Sequence, residues 1–125
     1  LVYNGEIYNF LEIKSKLELL GYSFASNTDT EVLLHAYSAW GVAAFSQCIG
    51  MFSFALLDKK KKKLFLVRNP SSIKPLYVYQ KNQTIAFASE VRSFNQGFFD
   101  TTEDPEWKTL FLVFGHLPEP ITIYK

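Results

Sequence analysis

Apolar positions change their period along this chain. From Asn9 onward, Phe10, Ile13, Leu17 and Leu20 fall at helical spacing, which predicts a helix capped by Asn9 and ended by Gly21. Tyr22-Ser23-Phe24 alternates like a short strand. A polar turn then leads into a second helical pattern carrying Val32, Leu33, Ala36, Tyr37 and Trp40. Thr28 is its expected cap, and Glu31 three residues on completes a capping box. Gly41 stops it, and a shorter helical piece spans 42–48. At Met51 the pattern becomes a continuous apolar run over 51–57, the signature of a strand buried on both faces.

Residues 64–67 supply an antiparallel partner for that strand across a lysine-rich turn. A loop over 68–74 separates it from a second hairpin, 75–79 with 84–88, turning at Lys81-Asn82. Ser89 heads a short helix over 90–94, and 95–102 reads as a connector with Gly97 inside it. Asp104-Pro105 opens a third helix lined by Trp107, Leu110, Phe111 and Phe114 and ended by Gly115. Residues 116–125 are extended, because Pro118 and Pro120 exclude helix. Helices, then antiparallel hairpins, then a helix make an α+β layered domain with no internal repeat.

Composition narrows the function classes. With 125 residues, 48% hydrophobic and 17% aromatic, the chain can bury one sizeable core and is not disordered. A net charge of +1 gives no general pull towards nucleic acid or a membrane surface. No apolar stretch approaches bilayer length. One cysteine excludes an internal disulfide and fits a reducing compartment. That Cys48 sits in an apolar stretch and reads as a buried inert thiol. His35 and His116 are far apart and lack a cysteine pair, so no metal site is expected; His35 is placed to pair with Glu31 on a helix surface. The lysines at 59–63 fall in a hairpin turn without interleaved aromatics, which argues for a solvated turn over a nucleic-acid site.

The candidate chemistry lies near the beginning. Leu1-Val2-Tyr3 followed by Asn4-Gly5 predicts a strand ending in a tight turn. There the Asn4 amide and the Gly5 N–H can converge on one spot, an arrangement suited to a developing oxyanion. Glu6 offers a carboxylate for a cationic group of the same ligand. On residue types alone a plain turn is the commoner meaning of Asn-Gly, and Asp29 is a favourable first-turn acid.

The strings NGEIYN, NTDTEVLLHAY, GMFSFALLD, IKPLY and ASE, in this order, resemble the glutaminase domain of class II glutamine amidotransferases, most closely the glutamine-hydrolysing asparagine synthetase branch. The resemblance runs from Leu1 to the closing PEPITIYK. It implies an N-terminal-nucleophile hydrolase fold, an αββα sandwich of antiparallel sheets, with its N-terminal part missing here. It implies a partial glutaminase domain over 1–115 and the start of a linker over 116–125, leading to a synthetase domain. Residue by residue, it implies that Asn4 and Gly5 form the oxyanion hole, and that Glu6 and Asp29 hold the α-ammonium of glutamine.

The family's nucleophile, a cysteine at the mature N-terminus whose own α-amine is the base, has no counterpart in this chain, so a fragment inactive by itself is expected. The resemblance further implies ammonia supply for ATP-dependent asparagine synthesis from aspartate, in the cytoplasm. ATP and magnesium belong to the absent synthetase domain, and no metal or cofactor is expected within this segment. The expected partners are glutamine and the C-terminal synthetase domain of the same polypeptide, with a homodimer as the candidate assembly. A catalytically inactive remnant of the same fold, and an amidotransferase serving another acceptor, stay open. The sequence departs from the family in the 68–77 loop, where Asn69 replaces an aspartate and Ser72 a glycine. Loss of the glycine argues against a positive φ at that position.

Overall fold

The computed structural model describes residues 1–94 and 99–124, and has mixed α/β structure with antiparallel sheets. Two compact units divide it, Leu1–Leu76 and Tyr77–Lys125.

In the first unit, strand β1 (Val2–Ile7) is followed by helices α1 (Phe10–Leu19) and α2 (Asp29–Trp40), a 3-10 segment (Gly41–Gln47), and strands β2 (Gly50–Asp58) and β3 (Lys63–Arg68). The sheet order is β1-β2-β3, antiparallel throughout. Phe52, Phe54 and Leu56 project from one face of β2, joined by Ile7 from β1. Ile13 and Leu17 of α1 and Val32, Leu33 and Ala36 of α2 close over that face. Five consecutive β2 residues, Phe52 to Leu56, are buried, as the unbroken apolar run predicts.

β1 corrects the expected turn. The strand runs straight through Asn4-Gly5 and ends at Ile7, with Gly5 paired to Phe52 and Glu6 to Met51. Gly5 absorbs the irregularity by taking φ +140 inside the ladder, a conformation that side-chain-bearing residues avoid.

Asn9 is a second correction. Its side chain makes no cap to α1. It bridges instead to the segment entering β2, donating from Nδ2 to Gln47 O at 2.9 Å and accepting at Oδ1 from Ile49 N–H at 2.9 Å. Residues 22–24 form no strand. The rings of Tyr22 and Phe24 meet His35 edge-on, so packing on α2 replaces strand pairing. Gly21 does end α1: the N–H groups of Gly21 and Tyr22 return to Glu18 O and Leu17 O.

The second unit holds strands β4 (Tyr77–Lys81) and β5 (Thr84–Ala88), a 3-10 turn (Val91–Phe94) and helix α3 (Trp107–Phe114). The β4–β5 hairpin turns at Asn82, which takes φ +55. Helix α3 starts later than Asp104-Pro105 suggests. Asp104 instead shapes the approach, its carboxylate accepting from Glu106 N–H at 2.9 Å. The connector expected over 95–102 lies partly outside the described residues, and Gly97 entirely so. Among the described residues, no helix is long and apolar enough to cross a membrane.

Candidate functional site

The site is built on the outer edge of β1. Asn69 N–H donates to Phe52 O, and Asn69 Nδ2 donates to Gly50 O, both at 3.0 Å. The polar groups of Phe52 and Gly50 therefore face away from β1, which makes Gly5–Phe52 and Ile7–Gly50 the closely spaced, non-hydrogen-bonded pairs of the ladder. The N–H groups of Gly5 and Ile7 consequently point outward together.

That close spacing is what requires glycine. A Cβ on Gly5 would lie 2.1 Å from Met51 O and 2.5 Å from Phe52 Cα. Gly50 is constrained from the other side, where a Cβ would lie 2.1 Å from Glu6 O.

Asp29 approaches this edge from the first turn of α2. The helix start is fixed by Thr28, whose Oγ1 accepts from Glu31 N–H at 3.3 Å. Only half of the expected capping box forms, because the Glu31 carboxylate turns back to Ala25 N–H and Ser26 N–H at 2.8 and 2.7 Å. The Ser26 hydroxyl and these N–H groups pull the Glu31 pKa down to about 2. His35 lies 3.7 Å from the same carboxylate, the surface pair that its spacing predicts.

With α2 so placed, Asp29 Oδ2 accepts from Ile7 N–H at 3.0 Å and from the Tyr3 hydroxyl at 2.6 Å. Burial, and then the adjacent carboxylate, push the Tyr3 phenol well above its ordinary pKa.

The four candidate residues lie on or beside β1, on different sides of it. Asn4 and Glu6, opposite Ser53 and Met51, project from the face that α1 and α2 leave open; Asn4 is half-buried and Glu6 exposed. Gly5 N–H lies on the edge itself, and Asp29 comes from the helix side. Cys48 is not part of this group. Its thiol donates to Ala44 O at 3.4 Å, and burial pushes it up to about 11. Among the described residues, no three His, Cys, Asp or Glu side chains gather in a metal-binding group.

The loop after β3 differs from its expectation. Ser72 takes φ +52 without being glycine. Its N–H is held by Asn69 O at 2.9 Å and its carbonyl by Arg68 Nη2 at 2.7 Å, so surrounding hydrogen bonds impose the left-handed backbone.

Tyr3 and Gly50 escape a reading that ends the strand at Asn4. Continuing the two-residue repeat through Gly5 places Tyr3, Gly5 and Ile7 on one face, and that signal would have found Tyr3.

A family profile described as the glutamine amidotransferase domain matches residues 1–125. The chain belongs to the glutamine amidotransferase domain family. This amidotransferase chain is 39% identical over 123 residues to glutamine-hydrolysing asparagine synthetase 1 of Bacillus subtilis, covering 98% of this chain and 20% of the relative. A putative glutamine-hydrolysing asparagine synthetase of Mycobacterium bovis is 37% identical, with 100% and 20% covered. A second putative one, from Methanocaldococcus jannaschii, is 35% identical, with 100% and 24% covered. The amidotransferase chain therefore spans about a fifth of the length of these curated relatives.

Proposed function

We propose that this chain is the glutamine-binding part of a glutaminase domain that supplies ammonia for ATP-dependent asparagine synthesis from aspartate. The observation that carries the reading is the Asp29 carboxylate seated on Ile7 N–H, two residues from the outward N–H of Gly5 on the same strand edge. Glutamine has an amide at one end and an ammonium at the other. Asn4 and Gly5 present neutral donors for the amide end, and Glu6 and Asp29 present anions for the ammonium end.

In this reading a thiolate adds to the side-chain amide carbon and the carbonyl oxygen becomes an oxyanion. The Asn4 amide and Gly5 N–H stabilise that charge as it forms, while the two carboxylates hold the substrate by charge-assisted hydrogen bonds. Cys48 is half-buried and burial pushes its thiol up to about 11, which argues against its being that thiolate. The family resemblance assigns it to an N-terminal cysteine acting through its own amine.

The three-stranded sheet with α1 and α2 on one face is read as one sheet and one helical layer of an αββα sandwich of N-terminal-nucleophile type. Residues 1–115 are read as glutaminase domain and 116–125 as the approach to a synthetase domain of the same polypeptide. ATP and magnesium act in that synthetase domain. The names of the relatives, all glutamine-hydrolysing asparagine synthetases, support this assignment of the acceptor.

The test is glutaminase activity of the complete gene product with Asn4→Ala. Loss of one oxyanion donor lowers kcat by on the order of 10²–10³. Undiminished kcat would overturn the assignment of Asn4.

A further inference from the structure

Among the described residues, the Asp29 carboxylate is held by two short hydrogen bonds on one oxygen and by one long one on the other. Oδ2 accepts from the Tyr3 hydroxyl at 2.6 Å and from Ile7 N–H at 3.0 Å. Oδ1 meets the Thr30 hydroxyl at 3.4 Å, the outer limit of a hydrogen bond. The torsion that turns a carboxylate about its stem is broad and soft. One donor leaves that rotation free, whereas two donors from different directions on a single oxygen fix it. Ile7 N–H belongs to the strand backbone and is present whatever the side chains are. The second donor is the contribution of Tyr3.

We infer that Tyr3 is a positioning residue for amino-acid recognition: its hydroxyl turns the Asp29 carboxylate so that Oδ1 faces the substrate α-ammonium. This rests on the function proposed above.

Tyr3 is suited to the task in two respects. Its phenol is held protonated by burial and by the neighbouring carboxylate, so it remains a donor across the working pH range. It also precedes Asn4 and Gly5 on the same strand. The ammonium anchor is thereby tied to the segment that receives the amide, and the distance between the two ends of the ligand is set by one rigid piece of backbone. Asp29 arrives on a different element, α2, and without Tyr3 its orientation would depend on Ile7 N–H and the long Thr30 contact.

The experiment compares Tyr3→Phe and Asp29→Asn in the complete gene product. It measures kcat and KM for glutamine, and the inhibition constant of glutaramate, which is glutamine without its α-amino group. Phenylalanine fills the same space, and melting temperature reports whether the fold is kept. Tyr3→Phe is expected to raise KM for glutamine about tenfold, as loss of a hydrogen bond to a charged group would, with kcat within about twofold. The glutaramate constant should stay unchanged, because that ligand has no ammonium for Asp29 to hold.

An unchanged KM in Tyr3→Phe alongside a raised KM in Asp29→Asn would overturn the role of Tyr3 alone. An equal rise in KM and in the glutaramate constant would also overturn it, since that pattern reports a general disturbance of the strand. Asp29→Asn without effect on KM would instead remove Asp29 from the ammonium site, and the inference would fall with the reading beneath it.

Discussion

Asn69 shows how much a single side chain can organise. It is 4% exposed, and its backbone N–H and its amide together hold two carbonyls of β2. Its Oδ1 is buried with no hydrogen-bond partner among the described residues. An aspartate has no donor to offer Gly50 O and would set a carboxylate against it. Asn69→Asp should therefore lower the unfolding free energy by about 1–3 kcal/mol, read by urea titration. The loss should shrink as pH falls and the carboxyl takes up a proton. Equal stability at neutral pH would show that the loop rearranges to supply another donor. The sequence marks position 69 as a departure from the family, but nothing in it says that the side chain continues the β-ladder past Arg68. That fact depends on where Gly50 and Phe52 end up, far away along the chain.

Elements were legible where local chemistry suffices and illegible where a distant partner decides. Helices α1 and α2, the buried strand β2 and both hairpins follow from periodicity and turn residues. β1 does not, because the Asn-Gly turn signal competes with pairing to β2, and the pairing wins by using the glycine inside the strand. The same reasoning explains 22–24, whose alternation finds no strand to pair with. At the start of α2 the local reading is half right. Thr28 caps the helix, whereas Glu31 leaves its box to hold the incoming backbone. Its folded pKa, about 2, lies below the 4.5 ordinary for a glutamate. Glu31 thus contributes stability that is present above about 4.5 and fades as pH drops through about 2. Thermal melts of Glu31→Gln against the parent should show the variant less stable at neutral pH, with the gap closing between those two pH values. A gap that persists unchanged at pH 2 would contradict this.

At the scale of the molecule, burial is uneven. β2 is buried along five consecutive residues, while α3 has no buried residue and leaves Leu112 84% and Val113 69% exposed. Hydrogen bonds in α3 are therefore open to water, and little apolar contact opposes local opening. Amide exchange followed by mass spectrometry should be slower in β2 than in α3 by roughly a hundredfold or more. Comparable protection would mean that α3 is covered in solution, by self-association or by a partner.

The four candidate residues stand out in the sequence because they lie in short, specific strings. The contacts of Asp29 with Tyr3 and Ile7 N–H were not legible there, since they depend on how α2 meets β1 in the assembled sheet.

Gly5 and Gly50 sit on opposite strands, each with its missing side chain filled by the other strand's main chain. This pair of constraints has an evolutionary corollary. A methyl group at Gly5 would meet Met51 O and Phe52 Cα, and one at Gly50 would meet Glu6 O and Ile7 Cα, so at neither position can trimming a neighbouring side chain make room. Drift at these two places is thus closed from both directions, and a lineage that lost catalysis altogether would still keep the pair for as long as it kept the sheet.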